Sequence, residues 1–258
     1  MIYINRKAFI RTTSLATAGA IIKPGIFPSS SFEHKIKAIA FDAFPIFDPR
    51  PIFKKVNELF PEKGKHIVET WQTKLFSYQW LRAAGNKYKN FWDISRDALD
   101  FAFLQASENA SNDEKDLIMS GYETINVWPD VIPTLQQLKE QNLKICFLSN
   151  MTAKMLRRGI QNASANNHFD VVISTDEKQT YKPSPSAYQM GVDHLGLGKK
   201  EILFVPFAGW DMAGAKWFGY PTYWVNRLDA PSEQLDAEPD GTSNSLSSLA
   251  GFIHNYNK

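Results

Sequence analysis

The chain reads as an α/β protein in which a parallel sheet with helices on both faces is interrupted, after its first strand, by a block of helices. Three observations predict this. The run Lys37-Ala38-Ile39-Ala40-Phe41-Asp42 is apolar on consecutive residues, as in a strand covered on both faces, and it ends on a carboxylate. From Asp130 onward, short apolar runs alternate with helical patterns at a spacing that calls for parallel strands joined by helices. Between these regions, residues 51–126 hold helical patterns alone.

Composition is compatible with that reading. With 258 residues, 43% hydrophobic and 22% charged, the chain is an ordinary globular protein able to bury a sizeable core. Its formal charge of +2 resides in the N-terminal segment, because residues 1–30 carry Arg6, Lys7, Arg11 and Lys23 and no acid; without them the balance is −2. A nucleic-acid-binding role therefore has no electrostatic support. The single cysteine, Cys146, lies in the apolar run Lys144-Ile145-Cys146-Phe147-Leu148, where it packs as a small hydrophobe, and no intramolecular disulfide can form.

Residues 1–31 read as a targeting segment and linker. Asn5-Arg6-Lys7-Ala8-Phe9-Ile10-Arg11 is a basic region ahead of the mildly apolar stretch Thr12 to Ile22, which is too short to span a bilayer, so no stable membrane insertion is expected. The segment resembles a twin-arginine export signal in which the second arginine is lysine and Phe9-Ile10 is the apolar pair. It predicts a periplasmic or exported protein, and a tail on a cytoplasmic protein is the alternative.

After the Asp42 strand, Pro51 opens a helix in which Ile52, Phe53, Val56, Leu59 and Phe60 share one face. Helices follow from Lys65 to about Ala84, from Phe91 to about Gln105, and from Asn112 towards Tyr122. A block of helices between two strands is what a cap domain looks like in sequence, here 51–126, with the core domain formed by 35–50 and 127–258. Aromatic stripes at helical spacing read first as packing. The core then runs helix Val131–Gln141, strand Leu143–Leu148, helix Lys154–Ala165, strand Val171–Ser174, helix Ser186–Leu195, strand Ile202–Val205, helix Met212–Phe218 and strand Thr222–Val225.

Each strand ends in polar residues: Asp42 after the first, Ser149-Asn150 after the second, Asp176-Glu177 with Lys182 after the third, and Gly209-Trp210-Asp211 after the fourth. Alone, Asp42 reads equally well as a carboxylate capping its own loop. The carboxyl ends of parallel strands share one edge, however, so Asp42, Ser149, Asn150, Lys182 and Asp211 can converge on one pocket. A carboxylate held still and desolvated is a usable nucleophile, and a nearby lysine favours its charged form. Ser149 and Asn150 offer a hydroxyl, an amide and backbone N–H groups suited to an anionic group, and Asp211 could hold Lys182 in place.

At these residues the sequence resembles the haloacid dehalogenase superfamily, and within it the type II 2-haloacid dehalogenases. The resemblance covers Lys37 to Leu249 and rests on Phe41-Asp42-Ala43-Phe44, Tyr78-Gln79-Trp80-Leu81-Arg82, Phe147-Leu148-Ser149-Asn150, Tyr181-Lys182-Pro183 with Tyr188, and Trp210 to Gly219. It implies a Rossmann-like core under a helical cap and a two-step displacement. Asp42 would attack the carbon bearing the halogen, and water would then hydrolyse the aspartyl ester. Lys182 would stabilise Asp42, Asp211 and Tyr188 would support that array, and Ser149 with Asn150 would bind the substrate carboxylate. Phe44, Phe76, Phe91, Trp210 and the position of Gln72 would form the rest of the substrate-facing side, beside Tyr188. The resemblance implies no cofactor and no metal. The superfamily's phosphatases place an aspartate where this chain has Phe44, and only one acid stands around Asp211, too few for a hard divalent cation.

The chain departs from the type II pattern on the leaving-group side. Gln72 stands where those enzymes have an arginine, Pro206 and Ala208 where they have serine and asparagine, and Pro45-Ile46 replaces a glycine-threonine in a loop one residue shorter. Three functions stay open from sequence: a dehalogenase-like hydrolase, a binder of small carboxylates without turnover, and a hydrolase of another ester or phosphate. A small-molecule carboxylate is the expected partner, and a homodimer is compatible with the sequence.

Overall fold

The computed structural model describes residues 34–258. The targeting segment read at 1–31 lies outside them. At the centre is β1 (Ala38–Phe41), whose four residues are all fully buried. Ile39 and Phe41 face one core layer while Ala38 and Ala40 face the other, the two-residue alternation of a strand covered on both sides. The chain then forms β2 (Phe47–Asp48) and enters the helical block: α1 (Arg50–Leu59), α2 (Gly64–Ala84), α3 (Phe91–Gln105) and α4 (Asn112–Met119). It returns through β3 (Asn126–Val127), which pairs antiparallel with β2. That ribbon went unread in the sequence because two-residue strands leave no periodicity to detect.

The helices start where local chemistry allows. Pro51 occupies the first turn of α1, which begins one residue earlier than the sequence suggested, at Arg50. Asn90 caps α3 by accepting from the Asp93 N–H, and Ser111 with Glu114 forms a capping box on α4. The buried positions of α2, Ile67, Thr70, Trp71, Leu75 and Gln79, follow helical spacing and lie against α3, where the Trp71 indole donates to the Ser95 carbonyl at 2.8 Å.

The core continues with α5 (Val131–Glu140), β4 (Lys144–Ser149), α6 (Ala153–Asn162), β5 (Val171–Ser174), α7 (Pro185–Leu195), β6 (Ile202–Val205), α8 (Gly209–Phe218), β7 (Tyr223–Val225), β8 (Gly241–Ser243) and α9 (Leu249–Tyr256). The main sheet has the parallel order β5-β4-β1-β6, with Phe41 level with Phe147 on one side and Val205 on the other. The expected final strand, β7, pairs with β8 and runs beside β6, tied to that edge by a bridge between Phe204 and Thr222 and by the Val225 N–H donating to the Pro206 carbonyl at 3.1 Å. Two helix limits differ from the sequence reading by three residues. α6 stops at Asn162 rather than Ala165, and Ser164 just beyond it has a left-handed φ of 53°. α8 starts at Gly209 rather than Met212, which moves Asp211 from a loop into the helix's first turn.

The loop after β1 is fixed from outside. The Trp128 indole N–H is shared between the Phe44 and Phe47 carbonyls, each at 3.0 Å. Arg227 donates to the Pro45 carbonyl at 2.8 Å and to Asp130 at 3.0 Å, and its guanidinium lies 4.5 Å from the Trp128 ring. Asp130 also accepts from the Leu246 N–H at 2.6 Å. The Arg227 and Asp130 side chains are only 6% and 16% exposed, so removing one partner leaves a charge with little water to receive it. Asp130→Ala is therefore expected to lower stability by about 3 kcal/mol in urea unfolding; a loss below about 1 kcal/mol would show that this pair behaves as an exposed one.

Candidate active site

Four strand ends deliver the polar groups. Asp42 follows β1 directly and its N–H donates to the Val205 carbonyl at 3.0 Å, which locks the carboxylate to the sheet edge. Ser149 is the last residue of β4 and Asn150 the next. Lys182 comes from the segment after β5, ahead of a cis Lys182–Pro183 peptide, and Asp211 from α8. An acid in the first turn of a helix also lies at the favourable end of the helix dipole.

Lys182 is the hub of this arrangement. Its ammonium donates to Asp42 Oδ1 at 2.8 Å and to Asp211 Oδ2 at 2.5 Å, and it lies 4.9 Å from the centre of the Phe204 ring. The residue is 1% exposed. Burial alone would push its pKa down, but the charges and hydrogen bonds of Asp211 and Asp42 outweigh that and hold it above the ordinary lysine value. Asp211 is pushed the other way for an acid, up to about 6, first by burial and then by repulsion from Asp42, against the pull of Lys182 and Tyr188. The lysine gains from both carboxylates, whereas for Asp211 burial and the neighbouring Asp42 outweigh what Lys182 returns.

Tyr188 completes the array from behind. Its hydroxyl donates to Asp211 Oδ1 at 2.7 Å, and burial beside that anion raises its pKa well above the ordinary value, so it remains a donor. Gly214 makes this approach possible, since a Cβ there would stand 2.5 Å from the Tyr188 oxygen and 2.7 Å from Pro183 Cβ. Tyr188 is fully buried behind the carboxylates and does not form part of the cavity wall, a departure from the substrate-facing place given it by the sequence reading.

In front of the carboxylates lies a cavity of about 110 Å³. Asp42, Ser149 and Asn150 form its polar end, and Phe44, Phe76, Phe91, Trp210 and Gln72 all line it, as do the unforeseen Tyr122 and Phe207. Trp210 packs edge-on against Phe76 and Trp80 with ring centres 5.5 and 5.3 Å apart, closing one wall. Among the described residues no lysine, arginine or histidine lines the cavity. A larger surface groove of about 820 Å³, bounded by Trp92, Arg157 and Arg158, contains none of these carboxylates.

The two oxygens of Asp42 are unequal. Oδ1 takes Lys182 and, at 3.3 Å, the Ser149 hydroxyl, whereas among the described residues Oδ2 accepts only the Phe44 N–H at 3.3 Å. Oδ2 is the freer oxygen. The Asn150 amide is engaged at both ends, its Nδ2 donating to Gln79 Oε1 at 2.9 Å and its Oδ1 accepting from the Lys182 N–H at 2.9 Å and the Thr175 hydroxyl at 3.3 Å. Gln79 entered the sequence analysis only within the stretch Tyr78-Gln79-Trp80-Leu81-Arg82 and was given no role there, although a polar residue four positions after Leu75 on the buried stripe of α2 was a usable signal. Cys146 is buried in the sheet, its thiol pushed up by burial, and takes no part in the site.

Comparison with known proteins places this geometry in a family. The sequence matches haloacid dehalogenase-like hydrolases over residues 24–219. It is 33% identical to an (S)-2-haloacid dehalogenase of Pseudomonas sp. (strain YL), with 82% of this chain and 91% of that protein aligned. It is 30% identical to haloacetate dehalogenase H-2 of Moraxella sp. (strain B), over 85% and 98% of the two chains. Among solved structures, an L-2-haloacid dehalogenase superposes with a TM-score of 0.83 at 33% identity, covering 85% of this chain and 99% of that one. The enzyme from Xanthobacter autotrophicus with chloropropionic acid covalently bound superposes at 0.78 with 29% identity, over 85% and 98%. A parallel sheet that carries Asp42 at the end of its central strand, a lysine paired to it and a helical layer above it thus belongs to a member of the haloacid dehalogenase-like hydrolase family.

Proposed function

We propose that the chain is a hydrolase of the 2-haloacid dehalogenase type, acting on short organic acids through a covalent aspartyl ester. The observation that carries this is a carboxylate, Asp42, paired through one oxygen to a buried lysine and lining a small, largely apolar cavity. Oδ2 attacks the substrate carbon as the carbon–halogen bond breaks and halide leaves with the bonding electrons. The negative charge of Asp42 is thereby spent in the ester. A nucleophile that enters a largely apolar site has shed much of its hydration, which favours the displacement.

In the second half, water adds to the Asp42 carbonyl carbon and the ester C–O bond breaks, releasing the 2-hydroxy acid. The charge that develops on Oδ1 meets the Lys182 ammonium and the Ser149 hydroxyl, both already aimed at that atom. The substrate carboxylate is assigned to the Ser149–Asn150–Met151 edge, the polar end of the cavity wall. Asp211 and Tyr188 act through Lys182, holding the ammonium on Asp42.

Asp42→Asn is expected to abolish turnover with the fold intact. One turnover in ¹⁸O-labelled water should leave label in the Asp42 peptide on mass spectrometry, and label confined to the product would exclude the ester. The acid limb has a sign of its own. Asp211 must be ionised to hold Lys182 firmly, and its pKa stands at about 6, so the rate should fall as pH drops through about 6. Tyr188→Phe removes a donor that favours the charged form and should move that limb to higher pH; an unmoved limb would assign it to another group.

The leaving-group side carries Gln72 and Ala208 and, among the described residues, no cation. A departing halide meets only neutral donors there, so ordinary 2-chloroacids should turn over slowly. Gln72→Arg with Ala208→Asn should raise the rate, by roughly a hundredfold if each regained donor supplies part of the ~3 kcal/mol that a preorganised donor is worth. Brisk wild-type release of chloride, measured directly, would show that another group already does this work.

A further inference from the structure

Gln79 is completely buried on the inner stripe of α2, and its environment is unusual for an amide. Its Oε1 accepts from Asn150, while its Nε2 has no hydrogen-bond partner among the described residues. A buried N–H₂ left unpaired is costly, and such groups in folded proteins call for an explanation. The explanation follows from donor and acceptor logic. The backbone N–H of Lys182 can only donate, so the atom of Asn150 facing it, 2.9 Å away, must be the oxygen. Asn150 Nδ2 then faces α2, and Gln79 must meet it with an oxygen, which turns Nε2 towards a place with no acceptor. One donor direction at Lys182 thus dictates both amides.

The same segment of the core is tied to the helical layer twice more. The Tyr88 hydroxyl donates to Asp176 at 2.6 Å, and the Tyr181 hydroxyl donates to the Lys89 carbonyl at 2.6 Å, with the two rings stacked at 5.3 Å. Residues 175–182 therefore carry the lysine at one end and are held by Tyr88 and Lys89 in the connection between α2 and α3 and, through Asn150, by Gln79 of α2.

We propose that Gln79 is a positioning residue for Lys182: its oxygen anchors the far end of the Asn150 amide, whose own oxygen holds the Lys182 backbone and so sets the ammonium on Asp42. Without the Gln79 oxygen, the Asn150 N–H₂ has no acceptor, so the amide is held at its oxygen end alone and can swing off the Lys182 N–H. The lysine backbone then loses its acceptor, and the ammonium loses its aim at Asp42. The inference builds on the role given to Lys182 above, but the geometry it concerns exists without substrate.

The test uses the full protein and two readouts. The first, taken without substrate, is the ¹⁵Nζ–¹H resonance of the Lys182 ammonium, whose shift and proton exchange report on the Asp42–Lys182–Asp211 array. Gln79→Leu should shift this resonance and speed its exchange; Gln79→Met serves as a second apolar variant if leucine packs poorly. The second readout is halide release, in which kcat should fall about tenfold with KM changed less than about twofold, as for an interaction made in the transition state. In an Asn150→Ala background, Gln79→Leu should cost nothing further, because its effect runs through that amide. An unchanged resonance in a folded variant, or losses that add fully in the double variant, would overturn the proposal. A shifted resonance in a protein that releases no halide in the wild type would support positioning and reject only the haloacid reading.

Discussion

The arrangement depends on one buried cation. An ammonium taken out of water costs several kcal/mol unless its partners restore what hydration supplied, and here two carboxylates share that task at 2.8 and 2.5 Å. The rest of the site follows from that requirement. Asp211 must itself be buried, so it needs the Tyr188 hydroxyl as a further donor. Tyr188 needs room, so α8 has a glycine at 214. The cost of this burial appears in Asp211, whose pKa lies well above that of an ordinary aspartate, whereas the lysine gains from both partners.

The loop after the nucleophile solves a different problem. Pro45 supplies no N–H, and the short turn brings the Phe44, Pro45 and Phe47 carbonyls towards the core rather than into a helix or sheet. Trp128 and Arg227 satisfy them, and Asp130 balances Arg227. These three residues come from the return of the helical block and the far end of the sheet. The position of Asp42 is thus set by contacts more than eighty residues away in sequence.

The helical layer contributes an environment more than reactive groups. Phe76, Phe91 and Leu75 from its helices and Phe44, Phe207 and Trp210 from the core make a wall that offers little to a charged group except at the Asp42 end. In the proposed reading, an organic acid would set its carboxylate at the Ser149–Asn150 edge and its carbon skeleton against the aromatic rings. Among the described residues, neutral Gln72 leaves the far side of the cavity without a charge to receive an anion, which separates this site chemically from one built around an arginine.

The sheet was legible because consecutive apolar residues such as Ala38-Ile39-Ala40-Phe41 are tolerated only where both faces are covered, and that constraint is local to the chain. The convergence of Asp42, Ser149, Lys182 and Asp211 was legible for the same reason, since parallel strands put their carboxyl ends on one edge. What local pattern could not supply was direction. Tyr188 carries the same phenol whether it faces a cavity or a buried carboxylate, and only the packing of α7 against α8 turned it to Asp211. Asp211 looked like a loop residue until the fold started α8 at Gly209. Gln79 looked like one more polar side chain on an aromatic helix. Its partner lies seventy-one positions along the chain, and a hydrogen bond across that distance is decided by how the helical layer seats on the sheet. The residue types, and the edge on which they gather, were set by sequence periodicity; which atom faces which partner was set by close packing between elements, because a buried donor has no water to fall back on and must take whatever acceptor the fold places beside it.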